Sequence, residues 1–269
     1  PRLRRAAKTA LPTTNSMRFA SLGSGSRGNG TLVEAGATLV LLDCGFSIAQ
    51  VEARMARLGK TPADLSAIVV THEHGDHIKG VGPLARRYQI PVWMTPGTAR
   101  HRRLGALPQL CHFNSHSRFA IDDLELSPYP VPHDAREPAQ FVFGDGKVRI
   151  GILTDVGCWT PHIEEQLSRC DALILECNHD SDLLLHGGYP AALKQRVGGR
   201  HGHLSNRQAA DLLGRLNTGK LQHLIAAHLS EENNQPQLAR DALAAVLGCS
   251  GDWIGVADQE QGLAWREVV

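Results

Sequence analysis

Short apolar runs and amphipathic stretches alternate along the chain from Met17 to its end. Runs of about four to eight apolar and β-branched residues bounded by turn residues predict β-strands, whereas apolar positions at helical spacing predict helices. In the first half this pattern predicts strands at 18–22, 31–34, 38–43 and 67–71, with helices at 47–58 and 81–88. In the second half it predicts strands at 122–130, 140–143, 148–154, 172–176 and 221–227, with helices at 161–168, 206–216 and 237–247.

The predicted elements form two β-rich halves, each with helices of its own. Two sheets packed face to face, with helices on their outer faces, would bury the apolar side of every element. We therefore predict an α/β protein, a four-layer αββα sandwich formed as one domain by residues 17–269, because no repeat or low-complexity linker interrupts the pattern. Residues 1–16 are basic and polar and lack the apolar core of a signal peptide, so we expect a disordered leader before Met17.

Composition and charge narrow the class of protein. Hydrophobic residues make up 42% and charged residues 20% of the chain, which is ordinary for a globular protein. The formal net charge of +1 excludes a global basic field, so any nucleic-acid site has to be local. The 6 cysteines form no Cys-x-x-Cys pair, which favours a reducing, cytoplasmic setting. No apolar run approaches the roughly 18 to 20 residues of a membrane span, so no membrane association is expected.

The segment Thr71–His77 carries the strongest chemical signal of the sequence. It reads Thr-His-Glu-His-Gly-Asp-His and places three imidazoles and the Asp76 carboxylate within six positions, directly after an apolar strand. Imidazole and carboxylate are ligands for zinc and similar metals, but four of them in so short a loop cannot converge on one ion without strain. We therefore predict that His72 and His74 bind one metal ion and that Asp76 and His77 bind a second.

Each ion then needs further ligands at the ends of later strands, and the sequence supplies three. We assign His133 to the first ion, His228 to the second, and Asp155 as the carboxylate that bridges both. A single histidine or aspartate at a strand end is more often a cap, turn or core residue. The assignment therefore depends on the group as a whole, which predicts two divalent ions, zinc or manganese, as cofactors.

The order of these residues is that of a known family. In chain order they are His72, His74, Asp76, His77, His133, Asp155 and His228. Over residues 17–269 this order resembles the metallo-β-lactamase superfamily, which implies the αββα fold and a dinuclear metal centre. The cysteine that the β-lactamases themselves use for the second metal has no counterpart here. The hydrolase branches that act on phosphodiesters or thioesters are therefore the better comparison.

Four further segments give a finer match. They are Gly23–Asn29, Glu176–Asp180, Gly202–Asn206 and His228–Asn234. Together they resemble the compact bacterial subgroup of YycJ/WalJ-type proteins, which is related to ribonuclease Z and to cyclic-phosphate phosphodiesterases. This resemblance implies phosphodiesterase or nuclease action, including DNA exonuclease activity, on a nucleic acid or a small phosphodiester.

The glycine-rich segment Gly23–Gly28 formally fits the dinucleotide-binding pattern Gly-x-Gly-x-x-Gly. That pattern has to open a helix, whereas the residues that follow here continue as a β-strand, so we reject a dinucleotide fold. Two compatible interpretations stay open. The segment is a glycine-rich hairpin, or it is a loop whose amides, with Ser26 or Asn29, meet a phosphate of the substrate.

Two histidines outside the predicted ligand set are candidate substrate-binding residues. Ser205 has the character of an N-cap for the helix at 206–216, so His203 lies just before a helix N-terminus that attracts anions. His203 and Ser205 would then hold a phosphate or a leaving group, although a plain surface histidine is an equal alternative. His179 follows an apolar strand and is assigned either to support of a metal ligand or to substrate contact.

A short basic run, Arg100–Arg103, follows the helix predicted at 81–88, which carries Arg86 and Arg87. A solvated surface explains such a run best. The alternative is contact with a nucleic-acid backbone, although no aromatic residue interleaves with these arginines to stack on bases.

The expected reaction is hydrolysis by a hydroxide that bridges the two metal ions and attacks a phosphorus centre. Asp76 or Asp155 would orient the attacking water, and His203 would protonate the leaving alkoxide, so these three residues form the predicted catalytic set. Two rival interpretations stay open. One is a glyoxalase II-like thioesterase that attacks a carbonyl with the same hydroxide, and the other is a metal-dependent binding module without turnover.

Overall fold

The computed structural model describes residues 16–269, so only Ser16 of the predicted leader falls within it. The strands lie in two seven-stranded sheets. From edge to edge, the first sheet consists of β14 (Leu263–Val268), β1 (Met17–Gly23), β2 (Gly30–Ala35), β3 (Thr38–Leu42), β4 (Ala67–Val69), β5 (Val92–Met94) and β6 (Leu110–His112). The second consists of β13 (Gly255–Val256), β12 (His223–Ala227), β11 (Ala172–Glu176), β10 (Arg149–Leu153), β9 (Ala139–Gly144), β8 (Leu124–Pro130) and β7 (Phe119–Ile121).

Helices connect many of these strands. They are α1 (Ile48–Arg57), α2 (Gly75–Ile78), α3 (Val81–Tyr88), α4 (Pro96–Ala99), α5 (Pro161–Leu167), α6 (Ser181–His186), α7 (Ala191–Val197), α8 (Asn206–Leu213) and α9 (Pro236–Leu247). Short 3-10 turns lie at Pro62–Asp64, Arg102–Leu104 and Gly251–Trp253. Within residues 16–269, no helix has the length and apolar character needed to cross a membrane.

Both sheets combine an antiparallel part with a parallel part. In the first sheet, β14, β1, β2 and β3 pair in antiparallel fashion, and β3, β4, β5 and β6 pair in parallel. In the second sheet, β7 to β10 are antiparallel and β10 to β13 are parallel. The carboxyl ends of parallel strands meet at one edge, so the loops after β4, β10, β11 and β12 are positioned to bring side chains from distant parts of the chain together.

Three apolar clusters fill the spaces between the layers. The central cluster lies between the two sheets and includes Phe19 and Phe141. A second cluster, which includes Leu212, packs α5, α8 and α9 on the outer face of the second sheet. The third, with Val51 and Leu84, packs α1 and α3 on the outer face of the first sheet. The predicted α/β class and the αββα sandwich are therefore confirmed.

Most predicted elements are confirmed with small shifts at their ends, but two boundaries are wrong. The strand predicted at 122–130 begins at Leu124, because Asp122 has a φ of 46° and turns the chain between β7 and β8. Aspartate tolerates this left-handed conformation well, which a strand pattern does not reveal. The helix predicted at 206–216 ends at Leu213. Leu216 lies beyond the helix but is buried, so its apolar side chain continued the helical pattern of the sequence and made the predicted helix too long.

Several elements were missed. Strand β14 returns from the carboxyl end of the chain to pair with β1, with Met17 opposite Val268, so the last strand belongs to the first sheet and the two halves are not separate. The short strands β5, β6 and β13 were missed as well. Helices α6 and α7 escaped prediction because α6 buries only Leu184 and α7 buries no residue, which leaves no apolar period to detect.

The segment after β3 packs closely against α2. Gly45 N–H donates to Asn29 O at 2.9 Å, and Cys44 N–H donates to His77 O at 2.7 Å. A Cβ on Gly45 would stand 1.8 Å from the Asp76 carbonyl oxygen, which is backbone and cannot move aside cheaply. Only glycine therefore fits between the loop after β3 and the first turn of α2.

We predict that Gly45→Ala lowers the free energy of unfolding by roughly 1 to 3 kcal/mol, because the new methyl group forces two backbone segments apart. Urea unfolding followed by circular dichroism measures this change. The matched control is Gly188→Ala, where a Cβ would meet nothing within 4 Å and stability should change by no more than about 0.5 kcal/mol. Equal stability of the two variants would contradict the packing described here.

Candidate metal centre

All seven predicted ligands meet at the edge of the sandwich where the parallel strands end. Their side chains form two groups, and within each group the potential ligand atoms lie within 4.8 Å of one another. The first group consists of His72, His74 and His133. The second consists of Asp76, His77, Asp155 and His228. The loop after β4 supplies His72 and His74, and the start of α2 supplies Asp76 and His77. The other three ligands follow the ends of β8, β10 and β12.

Asp155 lies between the two groups. Its Oδ1 is 3.9 Å from His133 Nε2 in the first group and 3.6 Å from His228 Nε2 in the second. Its Oδ2 is 3.2 Å from His77 Nε2. The side chain is almost fully buried. One carboxylate thus faces both sets of imidazoles.

Several ligand atoms are buried without a hydrogen-bond partner in the described chain. They are His72 Nε2, His228 Nε2 and Asp155 Oδ2. A buried polar atom without a partner costs about 1 to 3 kcal/mol, so three of them at one point require a common explanation. Inward-facing nitrogen and carboxylate oxygen atoms at these spacings are a donor set for divalent cations. The residues therefore fit divalent metal ions.

The rings of most of these histidines are held through Nδ1, which leaves Nε2 to face the centre. Asp43 Oδ2 lies 2.8 Å from His77 Nδ1, and Gly202 O lies 3.1 Å from His133 Nδ1. Thr71 Oγ1 lies 2.9 Å from His72 Nδ1. Such contacts fix the orientation and tautomer of a ligating imidazole.

His74 is oriented the other way. Its Nδ1 lies 3.2 Å from His133 Nε2, so Nδ1 is the atom that faces the first group. Its Nε2 lies 3.6 Å from Asp134 Oδ1. Asp134 in turn accepts a hydrogen bond from Arg196 Nε at 2.7 Å. The Asp134–Arg196 ion pair therefore lies against the outer side of the His74 ring.

Glu176, at the end of β11, is the main functional residue that sequence reasoning missed. Its carboxylate is fully buried and its Oε1 lies 2.9 Å from Nδ1 of both His203 and His228. The carboxylate also accepts backbone N–H groups from Asp155, Val156 and Leu204. One side chain therefore holds His228, a predicted ligand, the backbone of Asp155 and His203, the predicted general acid. The sequence signal that could have identified Glu176 is a glutamate at the end of an apolar strand.

The second group and its surroundings carry strong opposite charges. Burial raises the pKa of Glu176, but His203 and His228 outweigh burial and lower it to about 2. Burial lowers the pKa of His228, but Asp155 and further carboxylates outweigh burial and raise it to about 10. The carboxylates thus create a field that stabilises positive charge at this point of the molecule, whether a proton or a metal ion supplies it.

Two imidazoles of the first group, those of His72 and His133, have lowered pKa values. Burial, reinforced by the neighbouring His77, holds the pKa of His72 well below its usual value. Burial also lowers the pKa of His133 despite the nearby Asp155. A neutral imidazole has a free lone pair, which is the form that binds a metal.

Three residues of the centre have left-handed backbone conformations. The φ angles of Asp43, Asp155 and His228 are 61°, 53° and 56°. For residues other than glycine such conformations cost of the order of 1 to 3 kcal/mol each and concentrate at functional sites. Local hydrogen bonds hold the strained backbone at His228, whose N–H donates to Ser24 Oγ and whose carbonyl accepts from Asn178 Nδ2.

The predicted substrate-binding residues have different locations. Ser26 and His203 line a cleft of about 360 Å³ above the metal centre, and Asp76 and Asp155 form its floor. Asn29 is buried, and its Nδ2 donates to Asp76 Oδ2 at 3.2 Å, which gives it a contact with a predicted ligand.

The hairpin interpretation of the glycine-rich segment is confirmed, because β1 and β2 pair in antiparallel fashion on either side of it.

Ser205 and His179 lie on a second cleft beside the first. Ser205 is confirmed as the N-cap of α8, since its hydroxyl accepts from Gln208 N–H and the Gln208 side chain accepts from Ser205 N–H. His179 is buried next to it, and the two residues form an isolated parallel bridge.

We predict that Asp43→Asn weakens the binding of one of the two metal ions by about 10- to 100-fold and leaves the other bound. An asparagine amide at this place cannot both accept from Thr71 and fix the tautomer of His77. Zinc titration against a chromogenic chelator measures stoichiometry and affinity. The exposed Asp252→Asn variant is the control, and unchanged affinity for both ions in Asp43→Asn would contradict the assigned role.

Comparison with known proteins identifies relatives that all belong to one family. The sequence profile of the β-lactamase superfamily domain matches residues 38–228. The exodeoxyribonuclease YycJ of Bacillus anthracis is 34% identical over 245 residues, which cover 90% of this chain and 93% of the relative. The exodeoxyribonuclease WalJ of Streptococcus pneumoniae is 31% identical over 245 residues, which cover 89% and 91%.

A solved structure agrees with the fold. The metallo-β-lactamase fold protein YhfI from Bacillus subtilis superposes with a TM-score of 0.73 at 18% identity, covering 94% of this chain and 99% of that protein. The profile match and the two relatives together fix the family. The chain therefore belongs to the metallo-β-lactamase superfamily, as a metallo-hydrolase of the group that contains YycJ and WalJ.

Proposed function

We propose that this protein is a phosphodiesterase that uses two divalent metal ions to cleave DNA from a strand end. The observation that carries the proposal is Asp155, a buried carboxylate that faces both ligand groups at the floor of an open cleft, with His203 on the wall of the same cleft. The relatives named YycJ and WalJ are both exodeoxyribonucleases, which supports DNA as the substrate.

The two ligand groups would each hold one ion, with Asp155 shared between them. When bound, a pair of divalent ions lowers the pKa of water towards neutrality and neutralises charge on phosphoryl oxygens. Zinc and manganese both suit a set of imidazole and carboxylate ligands. The chain's own residues then have to orient the water, admit the phosphodiester and supply a proton to the leaving group.

Asp76 is suited to orient the attacking water. It lines the cleft and is the more exposed of the two carboxylates in the second group, with 23% of its side chain accessible against 2% for Asp155. Nearby imidazoles, chiefly His77, hold its pKa below the usual value despite burial, so it stays ionised and accepts a hydrogen bond. Asp155 contributes its charge and shape to the floor of the cleft.

His203 is suited to act as the general acid. Its Nδ1 faces the buried Glu176 carboxylate at 2.9 Å, and because Glu176 is ionised it can only accept, so Nδ1 keeps its proton. The proton to be transferred is therefore on Nε2 of the imidazolium form. Loss of the Nε2 proton to a leaving alkoxide leaves a neutral ring with its orientation unchanged, because Nδ1–H still donates to Glu176.

The walls of the cleft suit a nucleic-acid strand. Arg196 of α7 and Tyr189, which lies just before this helix, line one side, and the tyrosine offers a ring on which a base can stack. On the side of the metal loop, the Arg103 guanidinium comes within 3.9 Å of the position that a Cβ on Gly75 would take. Arg103, the last residue of the basic run, therefore lies beside the cleft, which favours its contact with a DNA backbone over a purely solvated position.

We also propose a cytoplasmic location. All six cysteines are free thiols, and Cys44, Cys170 and Cys177 are buried among them. Unpaired thiols in this number are typical of proteins kept in a reducing compartment.

The test is a hydrolysis screen with the metal-depleted protein reloaded with zinc or manganese. The substrates are single-stranded and duplex DNA, RNA, a cyclic nucleotide and S-lactoylglutathione. We expect release of nucleotides from DNA ends in the reloaded protein and none in the depleted protein. Preferential cleavage of S-lactoylglutathione would identify a thioesterase, and binding without turnover of any ester would identify a binding module; either result would refute the proposal.

We predict that His203→Ala lowers kcat on DNA by about 100-fold or more, because the leaving alkoxide loses its proton donor. Turnover of bis-p-nitrophenyl phosphate should change little, since p-nitrophenolate leaves without protonation. His201→Ala removes an exposed histidine two residues away and serves as the control. Steady-state kinetics on both substrates decide the matter, and an equal loss on both would exclude a general-acid role for His203.

A further inference from the structure

A second cleft of about 530 Å³ lies beside the metal cleft. Helix α7 separates the two: Arg196 and Val197 line the metal cleft, whereas Lys194 and Gln195 line the second. The two clefts also share a wall in the chain before α8, where His203 faces the first and Ser205 the second. Two residues span at most about 7 Å, so the second cleft begins within that distance of the general acid.

The second cleft has the opposite charge to the metal cleft. Lys194 and Arg207 line it, and no carboxylate does. Arg207 is exposed and makes no hydrogen bond or ion pair with any residue of the described chain, so its guanidinium is available to a ligand. The metal cleft, in contrast, is lined by three aspartates, Asp76, Asp134 and Asp155, and by one arginine, Arg196. An anion is therefore the class of ligand that this second surface attracts.

A buried imidazole on this cleft has no partner. His179 is only 3% exposed, it lines the cleft, and its Nδ1 has no hydrogen-bond partner in residues 16–269. Its backbone carbonyl accepts the N–H of Asn206 at 2.8 Å, but the ring Nδ1 is unpaired within the described residues. A ligand that enters the cleft would supply the missing partner and offset the cost of leaving a buried nitrogen unpaired.

The amino end of α8 opens onto the same cleft. This helix of 8 residues begins after Ser205, whose Oγ accepts Gln208 N–H and keeps its own proton free to donate. The positive end of a helix dipole, a serine hydroxyl, two cations and an unpaired imidazole converge here. Together they form a donor set for the oxygen atoms of a phosphate.

We propose that the second cleft binds a phosphate group of the DNA strand, one or two nucleotides from the bond that is cleaved. Nucleotides of one strand follow at about 3.4 Å along the axis of B-DNA, so a phosphate at that separation reaches from the His203 side to the Ser205 side. Leu184 and Leu185 provide an apolar wall in the same cleft, which suits the sugar and base of that nucleotide. This inference rests on the proposed function.

The first arm of the test measures binding without catalysis. Inorganic phosphate is titrated into the zinc-loaded protein, and the ring signals of His179 are followed by NMR. We expect them to shift in the unchanged protein and to stay still in Lys194→Gln/Arg207→Gln. The control is Lys220→Gln/Arg266→Gln, which removes the same charge from exposed positions elsewhere. His179 signals that stay still while those of the metal-site histidines shift would overturn the proposal.

The second arm identifies the source of the phosphate. With a single-stranded DNA oligonucleotide, we expect KM of Lys194→Gln/Arg207→Gln to rise roughly tenfold over the control, with kcat unchanged and a weaker dependence of KM on salt. Circular dichroism verifies that both variants are folded. An unchanged KM would overturn the strand contact and assign the cleft to free phosphate. If the unchanged protein shows the His179 shift but cleaves no oligonucleotide, the proposed function fails while the anion site stands.

Discussion

The structure depends on the mutual stabilisation of one buried carboxylate and the imidazoles around it. Asp155 sits almost fully buried in a left-handed conformation, and no packing advantage explains a charge at that place. What stabilises it is the positive charge of the neighbouring His77 and His228, and of the metal that these residues would hold. The rest of the centre, including the Glu176 carboxylate beneath it, keeps these opposite charges at short range and in fixed orientation.

The αββα architecture brings these residues together. Ligands from the loop after β4 and from the ends of β10 and β12 converge because parallel strands end at a common edge of each sheet. The two sheets then face each other across the central apolar cluster, so the first sheet supplies the histidine loop and the second supplies the bridge. Helix α7 buries none of its own side chains, so core packing does not explain its position. Its residues instead line the two clefts, where a ligand would contact them.

Most of the fold and the proposed metal ligands could be predicted from the sequence, because the signals for them are local. The histidine loop is contiguous, and each remaining ligand follows an apolar run, so strand ends and chemistry could be recognised together. The supporting residues were not accessible in this way. Asp43 and Glu176 act through partners that are 34 and 52 positions away, and Asn29 was assigned to substrate although it contacts Asp76. Strand β14 and helices α6 and α7 were missed because pairing across the chain and exposed helices leave no periodic signal.

The most direct test of the account is anomalous diffraction from crystals grown with zinc or manganese. We predict two metal peaks about 3.5 to 4 Å apart, one against the first ligand group and one against the second, with the Asp155 carboxylate between them. A single peak, or a pair of peaks that Asp155 does not touch, would contradict the dinuclear centre on which the proposed chemistry rests.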